Sequence, residues 1–172
     1  MADRRAAYVV AASVFAFDQL TKWIVTGPLG INQHGDQLML LPIFNFTYTE
    51  NHGISLGLLT ASSNAARWLL VALTSAIAIA VAFWIRREKH LADQIALGMV
   101  LGGALGNILD RTRFGFVVDF ADLHFGDYRP FLVFNVADAS ISIAVVVLLL
   151  RAFLVRKDSA EDADPEEKIE HA

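Results

Sequence analysis

Four stretches of this chain, Ala6–Val25, Ala65–Ile85, Leu91–Leu109 and Phe131–Val155, are apolar over the length of a bilayer crossing. About 20 helical residues cross the hydrocarbon layer, and lipid accepts only helices or closed barrels. The composition agrees, with 55% hydrophobic and 19% charged residues among 172, whereas soluble domains carry roughly a quarter charged residues. Most of the acid behind the net charge of -4 lies in the final stretch "KDSAEDADPEEKIEHA". That tail, residues 157–172, is polar and aperiodic and is expected to be disordered. Residues 1–172 are therefore expected to form a single integral membrane domain. Arg4 and Arg5 precede the first span as they would a cleaved signal peptide, but Asp18 interrupts the apolar run. With no small-x-small cleavage site in "WIVTGPLG", the span is expected to stay. The absence of cysteine excludes disulfides, thiolate catalysis and cysteine metal sites.

Basic residues orient the spans. Arg4 and Arg5, then Arg86, Arg87 and Lys89, then Arg156 and Lys157 flank the same ends, while Thr26–Asn64 holds no Lys or Arg. The positive-inside rule places both termini in the cytoplasm and the two long connections outside. Arg111, Arg113 and Arg129 break that bias, so topology does not explain them. Within the first outer connection, Leu38–Leu41 and Ile43–Thr49 are rich in β-branched and aromatic residues around Pro42, and "ENHG" signals a turn. The expected fold class is an all-α membrane protein, with four transmembrane helices and a small extracytoplasmic β-sheet in the first outer loop.

Gly98, Gly102 and Gly106 recur every four residues in the third span, a spacing that lets helix backbones approach closely in lipid. Asn107 and Arg111 lie one turn apart at its outer end, and Asn135, Asp138 and Ser142 share one face of the fourth span. Asp119, in "VVDF", and Asp138, in "FNVAD", are carboxylates in apolar frames, which are costly to keep charged. Two such acids placed together divide the proton between them. The charged one can take a proton from water while the neutral one donates to a carbonyl oxygen. Taken singly, either acid could equally cap a helix or pair with Arg111. Asp18 and Asp110 lie in or beside spans, and Asp122 and Asp127 read as residues of a solvated loop.

"DQLTK" (Asp18–Lys22), "ENHG" (Glu50–Gly53), "GGALGNILDR" (Gly102–Arg111), "VVDF" (Val117–Phe120) and "FNVAD" (Phe134–Asp138) follow one another on this four-span chain. From Phe17 to Ile143 the ensemble resembles the bacterial lipoprotein signal peptidases, also called signal peptidase II. The resemblance implies an aspartic endopeptidase of the inner membrane that needs neither metal nor cofactor. Its substrates would be diacylglyceryl prolipoproteins, cut just before the lipidated cysteine at the outer face. It also implies that Asp119 and Asp138 are the catalytic pair, supported by Asp18, Lys22, Asn51, Gly53, Asn107, Arg111 and Asn135. "ISLG" after "NHG" departs from the family's small residues and Phe, and Ser55 and Leu56 would alter the lining that meets substrate.

Two other classes compete on the residues alone. A small four-helix proton-coupled transporter would use membrane acids as a relay, with the acids near mid-span. A metal-dependent hydrolase would use His124 with Asp119, Asp122 or Asp127, but the five histidines are scattered and no HExxH exists. Membrane lipid and lipidated substrate are the expected partners. No nucleic-acid contact is expected, and the chain is expected to act as a monomer.

Overall fold

The computed structural model describes residues 4–53 and 64–161. Of the acidic tail, residues 157–161 continue the last helix rather than standing apart from it, while residues 162–172, like Ser55 and Leu56, lie outside the described residues. Four helices are long and apolar enough to cross a membrane: α1 (Arg5–Thr26), α2 (Asn64–Ile85), α3 (Leu91–Arg113) and the first part of α4 (Val136–Glu161). Side chains such as Leu69, Phe83, Leu149 and Phe153 stand exposed on the bundle, as a lipid-facing surface requires.

Helix α3 packs against each of the other three helices. Its glycines make this possible. A Cβ on Gly98 would strike the Ala7 carbonyl oxygen, and one on Gly102 the Ala11 carbonyl oxygen, so α1 lies directly on the α3 backbone. Gly103 meets the Ala137 carbonyl oxygen of α4 in the same way, and Gly106 makes room for the Asp18 carboxylate. An apolar core of Ala7, Ala11, Ala78, Val81, Ile85, Leu97, Leu101 and Ala104 fills the helix contacts.

The sheet has three strands, β1 (Gln37–Leu41), β2 (Phe44–Asn51) and β3 (Val117–Leu123), antiparallel in that order. The sequence reading placed a sheet in the first long connection only, but β3 comes from the second. Gly115, at φ +93, ends α3 with the left-handed residue that a helix C-terminus favours, and the chain turns into β3 two residues later. Arg67 of α2 secures that end, its Nε donating to the Arg111 carbonyl at 2.7 Å and Nη2 to the Thr112 carbonyl at 2.5 Å.

Two further expectations are corrected. Helix α4 begins at Val136 rather than at Phe131, because Phe134 is held extended: its N–H donates to the Ala121 carbonyl at 3.0 Å, and its own carbonyl accepts from Ala121 at 2.7 Å. Asp122 is not solvated. It is 1% exposed and accepts from Thr47 Oγ1 at 3.2 Å and Arg129 Nε at 3.2 Å.

Replacing Gly102 with Leu should push α1 off α3 and lower stability by about 1–3 kcal/mol. Thermal unfolding in detergent tests this against Leu105→Ile, at a position 41% exposed. Equal melting of the two variants contradicts the close approach.

Candidate active site

Asp119 is fixed by strand pairing. It lies opposite Thr49 across the β2–β3 ladder, so the end of β2 is beside it. Asn51 Nδ2 donates to Asp119 Oδ2 at 3.0 Å, while Asn51 Oδ1 accepts from the Gly53 N–H at 2.9 Å, locking the amide in a local turn. Gly53 adopts φ +94, which a side chain would strain. The "ENHG" signal therefore aims an amide at a carboxylate.

Asp138 is fixed by helix capping. Asn135 precedes α4, and its Oδ1 accepts from the Asp138 N–H at 2.9 Å, while Asp138 Oδ2 accepts from the Asn135 N–H at 3.4 Å. This reciprocal pair is a capping box in which the third helical residue is an acid, and the helix N-terminus favours negative charge there. Asn107 Nδ2 of α3 donates to Asp138 Oδ1 at 2.9 Å.

The buried Asn135 side chain joins the two acids. Its Nδ2 donates to Asp119 Oδ1 at 2.6 Å while its Oδ1 holds the Asp138 amide. Burial, and then the charge of Asp138, push Asp119 up to about 7, against the hydrogen bonds from Asn51 and Asn135 and the charge of Lys22. Near neutrality Asp119 is thus poised between its protonated and charged forms.

Beneath the pair lies a buried ionic cluster. Lys22 Nζ sits 2.8 Å from Asp18 Oδ2 and 2.7 Å from Asp110 Oδ2, and 3.5 Å from Asn107 Oδ1. Gln19 Nε2 adds donors to Asp18 at 3.1 Å and to Asp110 at 3.0 Å. Both acids also accept backbone hydrogens: Asp110 from Val118 N–H at 3.2 Å, and Asp18 from Ala137 N–H at 3.0 Å. Val118 and Ala137 are the residues immediately before Asp119 and Asp138, so one ammonium indirectly anchors both.

Arg111 lies in the field of Asp138, Asp119 and Asp110. Its Nε is buried without a hydrogen-bond partner. Asp110, its neighbour in the chain, is taken by Lys22, Gln19 and Val118.

Two clefts of about 390 Å³ each open beside the acids. One, lined by Asp138 with Phe131, Phe134, Ala139 and Ile143, is apolar. The other, lined by Asp119 with Thr49, Glu50, Asn51 and His52, is the more polar of the two. Leu132, 91% exposed, borders both. A chain crossing Leu132 would pass both carboxylates.

All nine residues proposed from sequence thus gather at one end of the bundle. Beyond those nine, Gln19 and the backbone amides of Val118 and Ala137 complete the cluster, together with Asp110, which the sequence marks only as an acid beside a span. The N-x-x-D spacing of Asn135 and Asp138 was a legible capping signal, whereas nothing local marks Gln19. Among the described residues no group of three His, Cys, Asp or Glu side chains is placed to hold a metal ion.

A family model described as signal peptidase (SPase) II matches residues 10–154. The lipoprotein signal peptidase of Sphingopyxis alaskensis is 54% identical over 158 residues, 91% of each chain. That of Rhizorhabdus wittichii is 50% identical over 171 residues, 95% of this chain and 99% of the relative. A bacterial membrane enzyme solved by the in meso method at 1.9 Å resolution superposes with a TM-score of 0.74 at 32% identity, over 85% of this chain and 91% of that one. Another, at 2.3 Å resolution, gives a TM-score of 0.73 at 28% identity, over 96% of this chain and 94% of that one. Sequence likeness along nearly the whole chain and a shared arrangement of helices and sheet lead to one assignment: this chain belongs to the signal peptidase II family, the lipoprotein signal peptidases.

Proposed function

We propose that this protein removes signal peptides from diacylglyceryl-modified prolipoproteins as an aspartic endopeptidase, with Asp119 and Asp138 as its catalytic pair. Membership of the family supplies the reaction. The observation that carries the catalytic assignment is the Asn135 amide, bonded at once to the Asp119 carboxylate and to the Asp138 backbone.

In this reading the pair starts with one proton, on Asp119. Asp138 takes a proton from a water molecule, and that oxygen attacks the scissile carbonyl carbon. Asp119 gives its proton to the carbonyl oxygen, forming a tetrahedral diol. Collapse of the diol returns a proton to Asp119, the C–N bond breaks, and Asp138 passes its proton to the leaving nitrogen. No nucleophilic side chain is consumed. Asn51, Asn107 and Asn135 hold the carboxylates in place, and such positioning supplies a large share of a rate enhancement. The apolar cleft beside Asp138 suits an acyl chain of the lipidated cysteine, and the polar cleft beside Asp119 suits peptide backbone.

The sheet end is assigned to the outer face of the inner membrane by the basic residues at the opposite ends of the helices. Both termini are then cytoplasmic, in a single membrane domain acting as a monomer. Arg111, with its unsatisfied Nε near both acids, is assigned to the substrate, where its planar fork can grip a carbonyl or phosphate oxygen.

Three outcomes are expected. Asp119→Asn and Asp138→Asn should each lower cleavage of a lipidated prolipoprotein by about 10²–10⁴-fold or more with melting retained. Asn107→Ala should cost less. Near-normal turnover by either Asp→Asn protein contradicts the pair.

The value of kcat/KM should fall as pH rises through about 7, where Asp119 loses its proton. The Asn51 hydrogen bond favours the charged form of Asp119, so Asn51→Ala should raise that group further and move the alkaline limb to higher pH. A limb that stays, or moves down, removes Asp119 as the proton holder.

Arg111→Lys should leave melting nearly unchanged and reduce cleavage, since an ammonium lacks the planar fork. Lost stability with normal cleavage by the folded fraction assigns Arg111 to the fold alone.

A further inference from the structure

Of the three arginines that defy the charge bias, Arg129 pairs with Asp122 and Arg111 faces the catalytic acids. Arg113 has neither use. It is exposed at the end of α3 and has no carboxylate partner among the described residues, and its guanidinium stacks over Phe114 at 5.0 Å. It also lines a cavity of about 220 Å³ that the proposed reaction does not use.

That cavity lies between α1, the end of α3 and the sheet, and its strand residues include Val118 and Tyr48. Successive strand side chains point to opposite faces, so Val118 and Asp119 do not share a face of β3. The cavity is therefore behind the sheet relative to the catalytic pair.

Its lining is graded. Trp23, 61% exposed, and Phe114, 48% exposed, mark the mouth beside Arg113, while Tyr48, 6% exposed, lies deep. Phe116 adds a further aromatic wall. The floor includes Lys22 and Asp110, which pair with one another at 2.7 Å. A cationic rim beside an aromatic middle is suited to a ligand whose anionic and cationic groups are a few bonds apart. A phosphate meets the guanidinium fork, and an ammonium enters the aromatic ring faces. Exposed Trp and Phe at the mouth suit the depth of lipid headgroups, where aromatic side chains collect.

We propose that the cavity behind the sheet binds the zwitterionic headgroup of a membrane phospholipid of the phosphoethanolamine type, with the phosphate on Arg113 and the ammonium directed toward the aromatic walls. The site opens behind the sheet, shares its floor residues Gln19, Lys22 and Asp110 with the cluster beneath the acids, and does not rest on the catalytic assignment. A lipid held there ties the ends of α1 and α3 to the membrane surface.

The test uses the full-length chain in detergent micelles, weighed by native mass spectrometry. Separate arms contain phosphatidylethanolamine, phosphatidylglycerol, glycerophosphoethanolamine or inorganic phosphate. Wild type should retain phosphatidylethanolamine over phosphatidylglycerol by about tenfold, the scale of one desolvated cation–π contact. Arg113→Gln should lose retention of phosphatidylethanolamine, and Trp23→Leu should narrow the preference. Both side chains are exposed, so folding is not at stake, and cleavage in lipid-free micelles should be unchanged. Weak binding of glycerophosphoethanolamine supports the headgroup. Retention of inorganic phosphate alone, equal retention of the two lipids, or equal retention by wild type and Arg113→Gln overturns the proposal. Loss of cleavage in the Asp119 and Asp138 variants, or its persistence, has no bearing on these readouts.

Discussion

One buried ammonium organises the sheet end of this molecule. Lys22 is 5% exposed and stands between Asp18 and Asp110, which are 0% and 1% exposed. Desolvating such charges is costly, and removing one partner strands the others, typically at about 3–5 kcal/mol. The cluster therefore constrains more than it stabilises. Lys22 and Asp18 belong to α1, Asp110 to α3, and their remaining acceptor capacity is taken by the first residues of β3 and α4. Two helices and the starts of two further elements meet at one charge. The glycine face of α3 is what lets α1 come near enough for this: the Asp18 carboxylate occupies the space that a side chain at position 106 would fill.

Asp119 and Asp138 are held by backbone devices of two kinds. Asp138 is part of the reciprocal cap of α4, so the polar atoms that begin the helix also orient the carboxylate. Asp119 stands in a strand ladder whose partner strand delivers Asn51 to it. Asn135 belongs to both, as cap of the helix and donor to the strand residue. Strand and helix cannot shift relative to one another without breaking that amide's bonds, which is why carboxylates far apart in sequence keep a fixed relation.

Much of this was legible in the sequence, for local reasons. Span lengths reflect bilayer thickness, which any long apolar run reports. Asp119 and Asp138 stood out because charge in an apolar frame is expensive, and Gly98, Gly102 and Gly106 announced a close helix contact by their period. What escaped depends on partners distant in the chain. Strand β3 is mostly apolar and short, a pattern that periodicity alone does not separate from helix, and only pairing with β2 settles it. Asp122 read as solvated because its partner Thr47 is on another strand. Phe131 to Phe134 read as helix because they are apolar, although Pro130 and the bridge to Ala121 keep them extended. Asp110 pairs with a lysine of α1 rather than with the arginine beside it, a choice that packing makes.

The strand order has a consequence for biogenesis. Strands β2 and β3 are neighbours in the sheet, yet the whole α2–α3 pair lies between them in the chain. Asp138 comes later still, in the last helix. As the chain emerges from its N-terminus, β2 waits for its partner until two more helices have been made, and the carboxylate pair waits for a fourth. Every form that lacks the last helix therefore has Asp119 without Asp138. If the two acids act together as proposed, hydrolytic capacity arises only with the final helix in place, and a half-built protein cannot cut its neighbours.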